Sequence, residues 1–131
     1  MPQQANEYLQ HILDEINYLA AAAKDIDREA FLADDTLKRA FVRSIEVIGE
    51  AVKKVPESVR QRNSRIEWRA IAGMRDRLIH DYFGVDYKVV WDVVINKIGP
   101  LAKGIRPMLD EAEARKTIAD VEMNHGPIDR S

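Results

Sequence analysis

Apolar side chains recur every three or four residues along almost the whole chain, and no segment alternates between apolar and polar residues. Spacing of three to four residues is typical of helices that bury one face, whereas half-buried strands alternate. The most regular stripe ends at Pro56 and consists of Leu37, Phe41, Ile45, Ile48, Val52 and Val55. The sequence therefore predicts an all-α protein that folds as an antiparallel bundle of helices.

Breaks in this periodicity place the individual helices. A first helix is expected over residues 5–24, and the stripe that Pro56 ends marks a second. A polar connection with one helical turn follows over residues 56–64, and a third helix is expected over residues 65–81. A fourth helix is expected to begin after Asp86 and to carry an apolar stripe up to position 98.

Residues with special backbone preferences mark the ends of these helices. Asp27 is expected to cap either a short helix or one that resumes after Asp34 and Asp35. Gly84 supplies a stop signal for the third helix. The Gly99-Pro100 pair is expected to bend or break the fourth helix before the apolar pattern continues.

The chain is expected to hold one domain. Its 131 residues are enough for a hydrophobic core, and no repeat or linker divides them. The periodicity fades beyond Ala114, so we predict a single helical domain over residues 1–115. Residues 116–131 are expected to form a C-terminal tail that is partly disordered.

Composition excludes several classes of protein. The chain has no cysteine, which rules out a disulfide framework, a thiolate zinc site and a cysteine nucleophile. No segment reaches the length of apolar sequence that a membrane span needs, and the N-terminus lacks the features of a signal peptide. We therefore expect a cytoplasmic protein without a membrane contact.

Charge is distributed unevenly. The formal net charge is −2, yet residues 60–77 hold six arginines against Glu67 and Asp76, a local balance of +4. Arginine favours bidentate contacts with phosphate, whereas lysine supplies a point charge. The alternative interpretation is a solvated helix face that happens to be rich in arginine.

The end of the third helix joins this basic segment to a cluster of polar residues. Arg75, Asp76, His80 and Tyr82 fall within eight residues. On an ideal helix Arg75 lies near the centre of an apolar stripe, and a buried unpaired charge costs several kcal/mol. The guanidinium should therefore have a partner or line a cleft. A guanidinium with an imidazole close by suits phosphate chemistry.

On one ideal helix, the two main candidates for catalysis, Arg75 and His80, point in different directions. On an ideal helix His80 points about 140° away from Arg75. The two side chains can meet at one phosphate if the helix unwinds at His80, or if residues of two subunits meet across a two-fold axis. The second arrangement makes dimerisation part of the site.

Simpler explanations exist for each of these residues. His80 can be a capping or surface residue, and Tyr82 a core or interface residue with a hydrogen-bonded hydroxyl. Asp76 can pair with His80 four residues later. A metal site is not expected, because no two histidines are close in sequence and the nearby acids lie among arginines. No cofactor-binding loop is present either, since Gly49 and Gly73 are isolated glycines.

The pattern Arg75-x4-His80-x-Tyr82 resembles the signature of the HEPN superfamily, and most closely its HepT-like branch. Two further blocks strengthen the resemblance, the segment 47–51 and the approach to the motif over residues 68–76. The segment from Val85 through Trp91 resembles the continuation of the family pattern. One departure is Asp76, which stands where many members have asparagine.

The resemblance implies a homodimeric HEPN-type bundle of four to five helices. It implies a metal-independent ribonuclease, with Arg75 and His80 as catalytic residues in a cleft shared by two subunits. Asp76 would support the site, and Arg69 and Arg77 would contact RNA. Arg43 and Glu50, on the polar side of the second helix, are weaker candidates for supporting the cleft.

In this branch of the superfamily the ribonuclease is the toxin of a type VII-like toxin–antitoxin system. The resemblance implies that the antitoxin is a cognate minimal nucleotidyltransferase, which silences the toxin by transferring AMP to the tyrosine of the motif, here Tyr82. Two alternatives remain open from the sequence. One is a non-catalytic dimer that binds nucleotides or proteins, and the other is a structural dimerisation module.

Overall fold

The computed structural model describes residues 3–78 and 84–125, which form helices joined by short turns. The helices are α1 (Gln3–Ala23), α2 (Arg28–Ala33), α3 (Asp35–Lys54), α4 (Glu57–Arg62), α5 (Trp68–Ala72), α6 (Met74–Leu78), α7 (Tyr87–Asn96) and α8 (Ile98–His125). These residues contain no strand, and the prediction of an all-α bundle is confirmed.

The core lies between the long helices. α1 packs against α3 and α8, and α7 packs against α8. The inward faces of α1 and α3 follow the apolar stripes of the sequence, and their fully buried members are Leu9, Ile12, Leu19, Phe41, Ile45, Ile48 and Val52. Hydrophobic burial of these stripes is the main force that holds the helices together.

Helix α2 is short and depends on a single aromatic anchor. Phe31 is fully buried, and its ring centroid lies 4.8 Å from that of Phe41 and 5.2 Å from that of Trp91. The three rings join α2, α3 and α7. A helix this short has little stability of its own, so these tertiary contacts hold it in place.

Aspartate caps confirm the predicted helix starts. Asp27 accepts a hydrogen bond from the backbone N–H of Ala30 at 2.8 Å, and so caps α2. Asp34 does the same for α3 by accepting from Leu37 N–H at 2.9 Å. The sequence placed a helix start either at Asp27 or after Asp34. The structure has a helix start at both places.

The predicted third helix is wrong as one continuous element. The structure has a turn over residues 63–67, then α5 and α6, with Gly73 between them. Glycine is among the weakest helix formers because its backbone loses the most entropy on ordering. The two short helices remain linked, since Arg77 N–H donates to the Gly73 carbonyl at 3.3 Å. Residues 79–81 of the predicted helix lie outside the described residues.

The last helices also differ from the predicted boundaries. α7 ends at Asn96, before Gly99-Pro100, and Pro100 lies in the first turn of α8, where its missing N–H costs nothing. α8 continues through residues 116–125, which the sequence assigned to a tail, with exposed side chains at 116–122. An ion pair between Glu111 and Arg115 spans the helical turn just before this extension. No helix within the described ranges is long and apolar enough to cross a membrane.

Candidate active site

Helix α6 carries the first residue of the Arg-x4-His motif and is fixed at both ends of its inner face. Met74 and Leu78, four residues apart, are 4% and 2% exposed and belong to the core. The three residues between them are exposed. Leu78 is further held by its carbonyl, which accepts from Asp86 N–H at 3.0 Å. Burial of Met74 and Leu78 therefore directs Arg75, Asp76 and Arg77 outward.

Arg75 is not buried, which corrects the prediction that it occupies the centre of an apolar stripe. Its side chain is 45% exposed. The prediction assumed one continuous ideal helix through Gly73, and on that helix Met74 does not belong to the apolar stripe. Because Met74 takes the core position, its neighbour Arg75 turns toward the surface.

The expectation that Arg75 has a partner is met by two carboxylates. Its Nε lies 3.8 Å from Glu46 Oε2 on α3, and its Nη1 lies 3.5 Å from Asp76 Oδ1. Within the described residues Arg75 makes no side-chain hydrogen bond, so both contacts are loose ion pairs. Loose, partly exposed pairs hold a guanidinium weakly, and a phosphate oxygen can compete for its N–H groups.

Glu46 was missed by the sequence reasoning, which named Arg43 and Glu50 on the same helix. Those two side chains are exposed, and neither forms an ion pair in the part of the chain that the structure describes. The available signal was helical spacing, since Glu46 lies three residues after Arg43 and four before Glu50. Nothing in that spacing selects Glu46 as the residue that meets Arg75.

Close packing of α3 against α5 brings Glu46 to this position. Gly49, one turn after Glu46, is buried, and a β-carbon built on it would lie 3.6 Å from the Ala72 carbonyl oxygen. The backbone of α3 therefore runs close to the end of α5, where α6 begins. This places a carboxylate of α3 beside the guanidinium of α6.

The other predicted site residues divide into two groups. His80 and Tyr82 lie outside the described residues, so their roles stay predictions. Arg69 and Arg77 are exposed. Arg77 lines a groove of about 640 Å³ between the α5–α6 segment and α8, whereas Arg69 is not among the lining residues. Among the described residues, no cluster of three or more His, Asp or Glu side chains is arranged to hold a metal ion.

The helical fold and the Arg-x4-His-x-Tyr sequence are those expected of the HEPN superfamily. Within it, the profile of the HepT-like family, described as Ribonuclease HepT-like, matches residues 12–108. The chain therefore belongs to the HepT-like family. The match includes α3, α5, α6 and α7, the helices around Arg75.

Relatives in other organisms support this assignment. A protein of Caldanaerobacter subterraneus subsp. tengcongensis, named as a candidate RNase, is 47% identical over 79% of this chain and 93% of its own length. A Thermococcus cleftensis protein named probable ribonuclease HepT is 39% identical over 79% of this chain and 94% of its own. A Methanocaldococcus jannaschii protein, also named as a candidate RNase, is 38% identical over 81% of this chain and 88% of its own. No solved structure matches the chain.

Proposed function

We propose that this protein is a HEPN-type ribonuclease that cleaves RNA without a metal ion, with Arg75 and His80 as its catalytic residues. The observation that carries the proposal is the accessible guanidinium of Arg75, which α6 presents outward because Met74 and Leu78 are buried, and whose ion pairs with carboxylates are loose. Membership of the HepT-like family and the names of its relatives support RNA as the substrate.

The chemistry divides between the two residues. An imidazole titrates near neutrality, so His80 is suited to take the proton from a ribose 2′-hydroxyl. The 2′-oxygen then forms a bond to phosphorus, the bond to the 5′-oxygen breaks, and that oxygen leaves with a proton. The products are a 2′,3′-cyclic phosphate and a free 5′-hydroxyl. The guanidinium of Arg75 stabilises the negative charge that develops on the phosphoryl oxygens.

We also propose that the protein is the toxin of a type VII-like toxin–antitoxin pair that acts in the cytoplasm as a homodimer. Its partner would be a minimal nucleotidyltransferase that adds AMP to Tyr82. The support is the position of Tyr82, two residues after His80 in the motif. Asp76 would support the site by its contact with Arg75, and Arg69 and Arg77 would bind RNA.

A cleavage assay on purified protein tests the catalytic proposal. Unmodified protein should cut RNA in EDTA and leave cyclic phosphate ends. Arg75→Ala and His80→Ala should each lose at least about 100-fold in rate, the scale expected when one charge-stabilising group is removed. Arg75→Lys should also be severely impaired, because lysine keeps the charge but loses the planar fork.

The matched control is Arg28→Ala, which removes an exposed arginine from α2, a helix that contributes no residue to the ion pairs of Arg75. It should cleave at the rate of the unaltered protein. Loss of activity in EDTA, or full activity in both site variants, would show that the mechanism is wrong. Intact RNA together with saturable nucleotide binding would instead favour a non-catalytic binding dimer.

A further inference from the structure

A basic groove lies beside α6, on a different side from the contact between Arg75 and Glu46. Its volume is about 640 Å³, within the range of ligand-binding clefts, and it opens to solvent between the α5–α6 segment and α8. Four of the side chains that line it are cationic, namely Arg65, Arg77, Lys97 and Lys103. We define these four residues and the cleft between them as the basic groove.

The charges of the basic groove are poorly balanced by the protein itself. Glu67 is the one acidic side chain among its described lining residues. Arg65, Arg77, Lys97 and Lys103 are all exposed, and none of them forms an ion pair within residues 3–78 and 84–125. The whole chain has a net charge of −2, so this concentration of positive charge is local. Clustered cations of this kind attract a polyanion.

The cations come from separate parts of the chain that are held together by packing. Arg65 precedes α5, Arg77 lies on α6, Lys97 joins α7 to α8, and Lys103 lies on α8. Ile66 packs directly on the α8 backbone, since a β-carbon built on Gly104 would lie 2.7 Å from Ile66 Cγ1. This contact holds the turn that carries Arg65 against α8, and so keeps Arg65 on the same groove as Lys103.

The lining chemistry favours a nucleic acid backbone over exposed bases. The apolar part of the groove is aliphatic, with Ile66, Ile71 and Leu101, and its described lining contains no aromatic ring on which a base could stack. Phosphate contacts from arginine and lysine position a nucleic acid without reading its sequence. We propose that the basic groove binds the phosphate backbone of substrate RNA, at a site distinct from the phosphate that is cleaved.

This inference rests on the proposed ribonuclease function and extends it. Arg77 follows Arg75 by two residues on the same short helix, so the two side chains point to nearly opposite sides of α6. One faces the basic groove and the other faces Glu46. The groove should therefore hold a part of the RNA chain away from the reacting phosphate. Its loss should weaken binding of long RNA and leave the chemical step unchanged.

A binding experiment tests the groove without relying on cleavage. The parent is the full-length His80→Ala protein, and the test variant adds Lys97→Gln and Lys103→Gln, both outside the proposed catalytic residues. Affinity for a single-stranded 20-mer RNA is measured by fluorescence anisotropy over a series of salt concentrations. Each lost contact with a single strand should reduce the slope of log affinity against log salt by about 0.7, so the double variant should lose about 1.4.

The matched control removes two exposed lysines that lie outside the basic groove, Lys24→Gln and Lys53→Gln. It changes the net charge equally and should keep the parent slope. Thermal melts followed by circular dichroism confirm that all variants are folded. Equal slopes for the test and control variants would overturn the proposal. A second result would also overturn it, namely a test variant that binds RNA like its parent but no longer binds the proposed nucleotidyltransferase partner. That result would make the groove a protein-docking site.

A cleavage experiment separates this inference from the proposed function. With His80 intact, the Lys97→Gln, Lys103→Gln variant should show a raised KM and an unchanged kcat on the 20-mer. A dinucleotide substrate, whose single internucleotide phosphate is the one that is cleaved, should react at the unaltered rate. If the unaltered protein cuts no RNA but the salt slope still falls, the ribonuclease proposal fails and the groove survives. An unchanged KM of the variant for the 20-mer would contradict the proposed role of the groove and leave the ribonuclease proposal intact.

Discussion

Glu46 Oε2 on α3 lies 3.8 Å from the Nε of Arg75 on α6, and this pair joins two helices that are far apart in sequence. Glu46 is 29% exposed, so it is better shielded from water than its partner. The distance exceeds that of a hydrogen bond, which leaves the guanidinium N–H groups available. The carboxylate can both orient the guanidinium and compete with a phosphate for it.

Replacing Glu46 with glutamine separates these two effects. Glu46→Gln keeps the length of the side chain and removes the competing charge, so KM for RNA should fall. The less firmly oriented guanidinium should lower kcat by a few-fold. Stability should change by less than about 1 kcal/mol, because partly exposed ion pairs contribute little. Glu50→Gln, an exposed neighbour on the same helix, is the control and should leave both constants unchanged. Unaltered kcat and KM in Glu46→Gln would contradict the positioning role.

Asp76 places a second negative charge beside Arg75, 3.5 Å from its Nη1. The Asp76 side chain is 76% exposed, so water and salt weaken its effect. Asp76→Asn should therefore tighten RNA binding modestly, by about two- to fivefold at low salt, and the gain should shrink as salt is raised. Anisotropy with the His80→Ala background measures this directly. Weaker binding of the asparagine variant would show that the carboxylate itself is required.

A stability prediction concerns the turn that follows the motif. The Asp86 carboxylate accepts from Lys88 N–H at 3.1 Å and from Val89 N–H at 3.4 Å, and so caps α7. Removal of such a cap costs about 1 kcal/mol. Asp86→Ala should lower the free energy of unfolding by that amount in urea titrations, while Asp86→Asn should retain most of it. Equal losses in the two variants would show that the charge of Asp86, and not its cap, provides the stability.

The helices with continuous apolar stripes were predictable from sequence alone. The apolar stripes of α1 and α3 have a spacing of three to four residues, which a strand cannot bury on one face. The side chains of Asp27 and Asp86 cap the starts of α2 and α7. The break at Gly73 was not predictable. An isolated glycine in a helical pattern either stays helical or interrupts it, and the pattern alone does not show which.

The site was less predictable than the fold, because its parts come from distant segments. The motif and the arginine-rich segment are local patterns, so Arg75 and Arg77 could be named from the sequence. Glu46 and Lys103 come close to α6 only through helix packing. A helical projection shows which residues share a face, but it does not show which face of another helix lies opposite.

If two subunits share the proposed catalytic cleft, the protein should be a homodimer. Light scattering at micromolar concentration should give about 30 kDa, twice the 15.0 kDa of one chain. The interface should bury at least about 1,000 Å² in total. If Arg75 of one subunit works with His80 of the other, mixing Arg75→Ala and His80→Ala proteins should restore activity. Roughly a quarter of the unaltered rate is expected, since half of randomly re-formed dimers are mixed and each has one complete site. A monomeric mass, or no recovery in mixed dimers, contradicts this arrangement.

Modification of Tyr82 should silence the enzyme by blocking Arg75. A phenol is a poor proton donor near neutral pH but a serviceable nucleophile once a partner enzyme deprotonates it. The phenolate oxygen would attack the α-phosphorus of ATP and release pyrophosphate, which leaves AMP on the tyrosine. The added group is bulky and negatively charged, and it should compete with RNA for the Arg75 guanidinium, whose ion pairs with Glu46 and Asp76 are loose. Co-expression with the cognate nucleotidyltransferase should therefore add one or more AMP units, and RNA cleavage should fall in proportion. Two tyrosine variants test this assignment. Tyr82→Phe should stay unmodified and active. Tyr87→Phe, which changes a tyrosine at the start of α7, is the control and should be silenced normally.

Two results would contradict the assignment. One is mass spectrometry that places AMP on Tyr87, Tyr8 or Tyr18, and the other is a Tyr82→Phe protein that is still silenced.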